Sequence, residues 1–319
     1  MNSSSPFPYE LVYRLPDGVL SENYLAQALD FPSVAIVKVL KPDLMAEPIA
    51  VERFEQEARF GPMLQHPRLL RYVDAGRFPD GRPFLATERL EGEDLAMHLY
   101  HHGPLSPQAV ARLALPLCDA VDFLHRVGVV HGGIKPQSIY LDGGLQAYQP
   151  KLGDFEMALF PNSASLPLRH ELAVYAAYPY PEGGEGRQPT RRADIYALGA
   201  VMAHALTGQP PTPSAEPLLL PSAAAHLTPV IDRCLQLHPQ DRFDSAAELA
   251  AAIRGVTHIA KPRLEPLASA PPAQAPSPET GNAHDTPYFL PGTAPSLRNL
   301  GVSEGTPGPA DDPGQRWFQ

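Results

Sequence analysis

His131-Gly-Gly-Ile-Lys-Pro-Gln-Ser-Ile139 and, fifteen residues further on, Asp154-Phe155-Glu156 are the two stretches on which the fold turns. The first pairs adjacent glycines with a proline and polar side chains, which suits neither a helix nor a strand interior and reads as a structured loop. Upstream, Pro107–Arg126 places apolar residues at 110, 113, 114, 117, 121 and 124, the stripe of a long buried helix. Further back, Val34–Leu40 is a β-branched run and predicts a strand carrying Lys38. Helical spacing from Ile49 to Leu64 carries Glu57, and His66-Pro67 ends it. Ala86–Leu90 reads as a second short strand. Downstream, Ile195–Leu206 and Ala246–Ile253 read as apolar helices, the latter ending before Gly255. Strands come early, helices late, and no internal repeat appears, which places the chain in the α+β class.

The whole chain, 319 residues, is long enough for a sizeable core. Its net charge of −10 argues against nucleic-acid or anionic-membrane binding as its main task, since both need a positive surface. No basic segment followed by an apolar one marks a secretory leader, and no apolar run approaches membrane-spanning length, so a cytoplasmic protein is expected. Cys118 and Cys234 lack metal-ligand spacing and read as two buried thiols in a reducing compartment. Proline is the outlier: 39 residues, more than twice the usual share of about 5%. Residues 261–319 hold 12 of them, with polyproline character from Pro266 to Pro278 and two apolar islands, Tyr288-Phe289-Leu290 and Trp317-Phe318. Such a composition cannot offset its ordering entropy by burial.

Lys38 on an early strand, Glu57 on the next helix, the His131–Ile139 loop and Asp154-Phe155-Glu156 follow one another in the order of the protein-kinase signatures. Pro181-Glu182 is similar to the end of the A-P-E motif. Asp194-Ile-Tyr-Ala-Leu-Gly199 and His238-Pro-Gln-Asp-Arg-Phe243 resemble two later family segments. Over residues 9–254 the chain resembles bacterial Ser/Thr protein kinases. The resemblance implies a two-lobed fold, residues 1–90 as a β-rich N-lobe and 91–258 as a helical C-lobe, while composition makes 259–319 a Pro-rich low-complexity tail able to recruit a partner. The resemblance also implies roles. Lys38 would hold the ATP phosphates and Glu57 would hold Lys38. Gly18, Thr87 and Glu88 would line the nucleotide site. Asp154 and Ser138 would carry Mg²⁺. His131 and Lys135 are the retained loop residues. Phe155, Asp194 and the pair Glu182–Arg242 would support the fold.

The chain departs from that pattern where the chemistry lies. The base position is Gly133, which has no proton acceptor. Gly132 replaces the loop arginine, Ser138 the second metal ligand, and Glu156 the glycine of D-F-G. The activation-segment threonine falls on Tyr175. In Leu15-Pro-Asp-Gly-Val-Leu-Ser-Glu-Asn-Tyr24 only Gly18 of three loop glycines remains, with Pro16 and Ser21 at the other two. The adenine pocket would be lined by Asn23, Ile36 and Tyr140, bulkier or more polar than usual. Gly61, followed by Pro62, leaves a gap in the internal packing and predicts a weak last helical turn. The stretch after Gly208 lacks room for the family's substrate-docking helix.

A catalytically impaired kinase-like domain, regulating or scaffolding signalling proteins, is therefore expected. Its partners would be an active kinase or a phosphopeptide-binding protein, and its ATP·Mg²⁺ binding weak. The alternative is an active or weakly active Ser/Thr kinase with an atypical loop. Ser163, Ser165, Ser277 and Thr286 stand in loop-like contexts as modification candidates. A chain truncated after residue 260 is expected to melt within a few degrees of the full chain. A large loss in thermal unfolding would show that the tail packs on the folded part.

Overall fold

The computed structural model describes residues 7–30, 33–142, 149–161, 178, 180–183, 188–211 and 219–257. Tyr175, the four candidate modification sites and the Pro-rich segment lie outside them. The first part is a five-stranded antiparallel sheet of β1 (Tyr9–Leu15), β2 (Ser21–Ala28), β3 (Val34–Leu40), β4 (Tyr72–Arg77) and β5 (Pro83–Glu88). Its order is β1-β2-β3-β5-β4. Helix α1 (Pro48–Phe60) enters between β3 and β4. The second part is mostly helical: α2 (Leu95–His102), α3 (Pro107–Arg126), α4 (Arg191–Thr207), α5 (Thr228–Cys234) and α6 (Ala246–Thr257). A small ribbon, β6 (Ile139–Asp142) with β7 (Gln149–Leu152), carries the loop residues.

β3 is buried on both faces, and its period of two sorts its side chains. Ala35, Val37 and Val39 pack with Phe84 and Ala86 in one cluster, flanked by Phe7 and Tyr9. Leu40 belongs to the other, larger core with Leu85 and Phe54 of α1. Lys38 lies between them in sequence parity with Leu40, so its side chain leaves the sheet on the α1 side. On α1, Ala50, Arg53, Phe54 and Glu57 are buried, the spacing of one helical stripe, which turns the Glu57 carboxyl inward.

α3 runs over the span its periodicity predicts. The six stripe residues are all buried, Ser106 caps the first turn by accepting from the Ala109 amide, and Pro107 takes the first helical position. Other boundaries move. β5 starts and ends earlier than expected, at Pro83–Glu88. α1 stops at Phe60, and Gly61–Met63 tightens into a 3₁₀ turn because Pro62 cannot continue the α-helical ladder. α6 continues through Gly255 to Thr257, since one exposed glycine near a helix end does not outweigh its neighbours. Between Gly208 and Thr228 the described residues hold only a 3₁₀ turn at Ser222–Ala224.

Cys118 and Cys234 are buried free thiols, and burial pushes Cys118 up to about 12. No helix among the described residues is long and apolar enough to cross a membrane. α4 and α5 cross closely at Gly199, where an added Cβ would stand 2.3 Å from Cys234 Cβ. Gly255 of α6 has open space around it. The same substitution should therefore act with opposite signs. Gly199→Ala is expected to destabilise by about 1–3 kcal/mol despite its better helix propensity. Gly255→Ala is expected to stabilise by up to about 1 kcal/mol. Urea unfolding of the two variants beside the parent chain checks both.

Candidate functional site

The site lies where β3, α1, the His131–Ile139 loop and the turn after β7 converge. Asp154 has φ 60° and ψ 69°, the only left-handed non-glycine among the described residues. That backbone costs on the order of 1–3 kcal/mol and needs its surroundings to hold it. Here the side chain is held at both oxygens. Lys38 Nζ pairs with Asp154 Oδ1, and the Tyr140 hydroxyl donates to Oδ2 at 3.0 Å. Burial works against both charges. Even so, the Asp154 and Glu57 carboxylates keep Lys38 well above the usual lysine range, and Lys38 keeps Asp154 below the usual carboxylate range.

Glu57 does not hold Lys38, contrary to what the resemblance implies. The Tyr72 hydroxyl donates to Glu57 Oε1 at 2.6 Å, and the buried Glu57 Oε2 has no hydrogen-bond partner among the described residues. Burial, only partly resisted by Lys38, pushes Glu57 up to about 7. The gap expected at Gly61 is filled by the same tyrosine: a Cβ at Gly61 would stand 2.7 Å from the Tyr72 ring. Tyr72 lies 6.3 Å, ring to ring, from Phe155, which lies 4.8 Å from His131. Sequence reasoning did not single out Tyr72, because an aromatic at the start of a strand reads as ordinary core.

The loop is fastened from below by Asp194, fully buried at the first turn of α4. Its carboxylate accepts from the His131 amide at 2.9 Å and the Gly132 amide at 2.8 Å, and pairs with His125 Nε2 at 2.8 Å. The Thr190 hydroxyl caps that helix. His131 accepts from the Gly133 amide at Nδ1 and faces the Gly153 carbonyl through Nε2 at 3.0 Å, so Nε2 carries the proton. Burial lowers its pKa, and the ring is a structural pin, remote from any general-base task. Gly132 sits at φ 69°, where a Cβ would meet Pro189 at 2.7 Å and the Met157 carbonyl at 2.9 Å. No side chain of any kind fits there with this backbone. Glu182 and Arg242 meet through two parallel hydrogen bonds of 2.6 Å, with the Arg242 side chain fully buried over the Tyr196 ring.

Ser138 is placed otherwise than expected. Its hydroxyl donates to the Lys135 carbonyl at 2.8 Å and accepts from the Lys135 amide at 3.0 Å, so it closes its own turn and keeps one lone pair. Glu88 is also committed. Its Oε1 takes Lys151 Nζ at 2.7 Å and the Arg71 amide at 2.9 Å, and its own amide donates to the Arg71 carbonyl at 2.9 Å. Thr87 is buried, paired across the sheet with Ile36 and Tyr72. Burial lowers Lys135, whose charge Asp154 and Glu156 favour.

The loop of residues 16–21 closes over this cleft through its unusual residues. Asn23 Nδ2 donates to the Pro16 carbonyl at 2.8 Å, and Ser21 Oγ donates to Asn23 Oδ1 at 2.8 Å and approaches Glu156 Oε1 at 3.2 Å. A Cβ on Gly18 would stand 2.8 Å from that same Glu156 oxygen, so a side chain there would have to push the carboxylate aside. Beneath it, Val19, Gly133, Lys135, Asp154, Glu156 and Met157 line a cavity of about 10 Å³, room for about one water molecule.

Comparison with known proteins fits this geometry. The family described as Protein kinase domain matches residues 9–251. A probable serine/threonine-protein kinase of Corynebacterium efficiens is 32% identical over 270 residues, 76% of this chain and 40% of its own length. The serine/threonine-protein kinase PkaA of Streptomyces coelicolor is 34% identical over 233 residues, 69% of this chain and 42% of its own length. The chain thus spans less than half of these relatives. Among solved structures, the Mycobacterium tuberculosis PknI kinase domain superposes with a TM-score of 0.61 at 28% identity, over 81% of this chain and 100% of that one.

The Glu57 environment makes stability depend on pH. Its folded pKa, about 7, lies above the ordinary 4.5, so the folded state binds the extra proton. That contribution is full below about 4.5 and is lost as pH rises through 7. Glu57→Gln keeps an acceptor for Tyr72 without the charge. The stability of the variant relative to the parent is expected to rise between pH 5 and pH 8. Urea unfolding at both pH values checks it, and a constant difference would contradict the assignment.

Proposed function

Since the chain belongs to the protein kinase family, we propose that it is a kinase-shaped binding module of impaired catalysis, whose nucleotide cleft is filled by its own side chains. The observation that carries this reading is Asp154. Both oxygens that would receive Mg²⁺ already accept a hydrogen bond within the protein, from Lys38 and from the Tyr140 hydroxyl. Three further features support it. The Ser138 hydroxyl is engaged by its own turn, the Glu156 carboxylate occupies the underside of the glycine loop, and Gly133 offers no base for a substrate hydroxyl. So arranged, these residues do not fit a metal–nucleotide pair. What remains for such a domain is recognition: a two-lobed surface presented to signalling proteins, an active kinase or a phosphopeptide-binding protein among them.

A second reading, weak Ser/Thr phosphotransfer, is favoured by one specific observation. Lys38, Lys135 and Asp154 still converge on one cleft, and positioning with electrostatics carries most phosphoryl-transfer catalysis.

Nucleotide stabilisation separates the two. A kinase site with Kd on the order of 10–100 μM gains about 2–3 kcal/mol at several mM ATP. Less than about 0.5 kcal/mol is expected here, with or without Mg²⁺, in thermal-shift titrations. Tyr140→Leu with Ile36→Ala should enlarge the ATP-dependent shift, and labelled γ-phosphate should reach no protein substrate above a Lys38→Met control. A full shift in the parent chain, or transfer that vanishes in that control, would establish the second reading instead.

A further inference from the structure

Away from the cleft, three histidines of α2 gather around one carboxylate. Glu93 Oε1 lies 2.9 Å from His98 Nδ1 and 3.5 Å from His102 Nε2, and Glu93 Oε2 lies 3.0 Å from His101 Nδ1. His98 and His102 are four residues apart on one helix face, their ring centroids 4.6 Å apart. The ligating atoms of Glu93, His98 and His102 all fall within 4.8 Å of one another. We propose that Glu93, His98 and His102 form a binding site for a Zn²⁺-class transition-metal ion, with water completing the coordination.

The geometry fits the ion. Zn–N and Zn–O bonds of about 2.0–2.2 Å set the edges of a tetrahedron at about 3.3–3.5 Å. The Glu93–His102 separation already has that length, and the Glu93–His98 separation needs only a few tenths of an ångström. Two imidazole nitrogens with one carboxylate select Zn²⁺, Cu²⁺ or Ni²⁺ over Mg²⁺ and Ca²⁺, which take oxygen donors. Glu93 Oε1 faces a nitrogen of each of two imidazoles at once. A cation between them would be ligated by all three groups together. His101, bound to the other oxygen, orients the carboxylate so that Oε1 faces the pair.

The scaffold is prepared for the site. The Glu93 carbonyl accepts the Leu141 amide at 2.9 Å, and Asp94 caps α2 by accepting from the Met97 amide at 2.9 Å. His98 is buried, whereas His102 is 39% exposed, so the site has a fixed floor and an open mouth. Asp94 also bridges the backbone of Tyr140. An ion here would tie the start of α2 to the strand that carries the tyrosine of the cleft. The proposal does not depend on the nucleotide reading, and its test uses no catalytic readout.

The test is titration of the full, untagged chain with ZnCl₂ by calorimetry, and with CoCl₂ by visible absorption. One equivalent of Zn²⁺ should bind, and Co²⁺ should give the intense spectrum of tetrahedral coordination. Because His98 is buried, the informative variants are His102→Ala and Glu93→Gln, each expected to weaken binding at least 100-fold. His101→Ala should weaken it about 10-fold, as for a residue that positions a ligand. Stoichiometric binding absent from the parent chain, or surviving either His102→Ala or Glu93→Gln within threefold, overturns the site.

Discussion

A charged carboxylate on a left-handed backbone, its side chain only 22% exposed, needs partners close by in the protein. Asp154 meets that requirement with a lysine from the sheet and a tyrosine from the ribbon beneath it, and the rest of the site follows. With Lys38 drawn to Asp154, Glu57 takes its hydrogen bond from Tyr72 instead. Tyr72 reaches Glu57 by lying across Gly61. The residue after Asp154, Phe155, is set between the rings of Tyr72 and His131, and the backbone of His131 rests on the carboxylate of Asp194. One electrostatic demand is thus carried from the sheet through a column of rings to the first turn of α4. Removing one member of a buried ion pair strands the other, at a typical cost of several kcal/mol, so the column and the pair hold each other in place.

Much of this was legible in the sequence. The β-branched run at Val34–Leu40 and the stripe in α3 encode burial directly through their periods, and both elements sit where their patterns place them. β1, β2 and β4 were not read, because Tyr9–Leu15 and Tyr72–Arg77 are partly exposed and mix charged with apolar side chains, so neither period dominates. The site separated along the same line. Residue types at Gly132, Gly133 and Glu156 were readable as departures. What those residues do instead was not, because it depends on contacts between segments far apart in the chain. Ser21 and Glu156 are 135 positions apart, and no local pattern relates them. Tyr140 was read as bulk in an adenine pocket, whereas its hydroxyl, reaching the metal-position aspartate, matters more than its volume.

Glycine and asparagine have double meanings here. Gly132 looks like a lost arginine, yet its positive φ and the walls of Pro189 and Met157 leave no room for a side chain. Asn23 looks like misplaced polarity, yet its amide closes the loop onto Pro16 and Ser21. A substitution relative to a family pattern is therefore also a set of contacts of its own. Within this chain the same residues complete hydrogen bonds that a stable, closed cleft needs.

The contact between Gly61 and Tyr72 has a consequence for descent. An aliphatic side chain at position 61 collides with the tyrosine ring. A smaller residue at position 72 leaves an empty volume and removes the donor from a buried carboxyl. Neither position can change alone without a stability penalty, so the two are energetically coupled. The interior at this point therefore changes only by paired substitution, one position compensating the other.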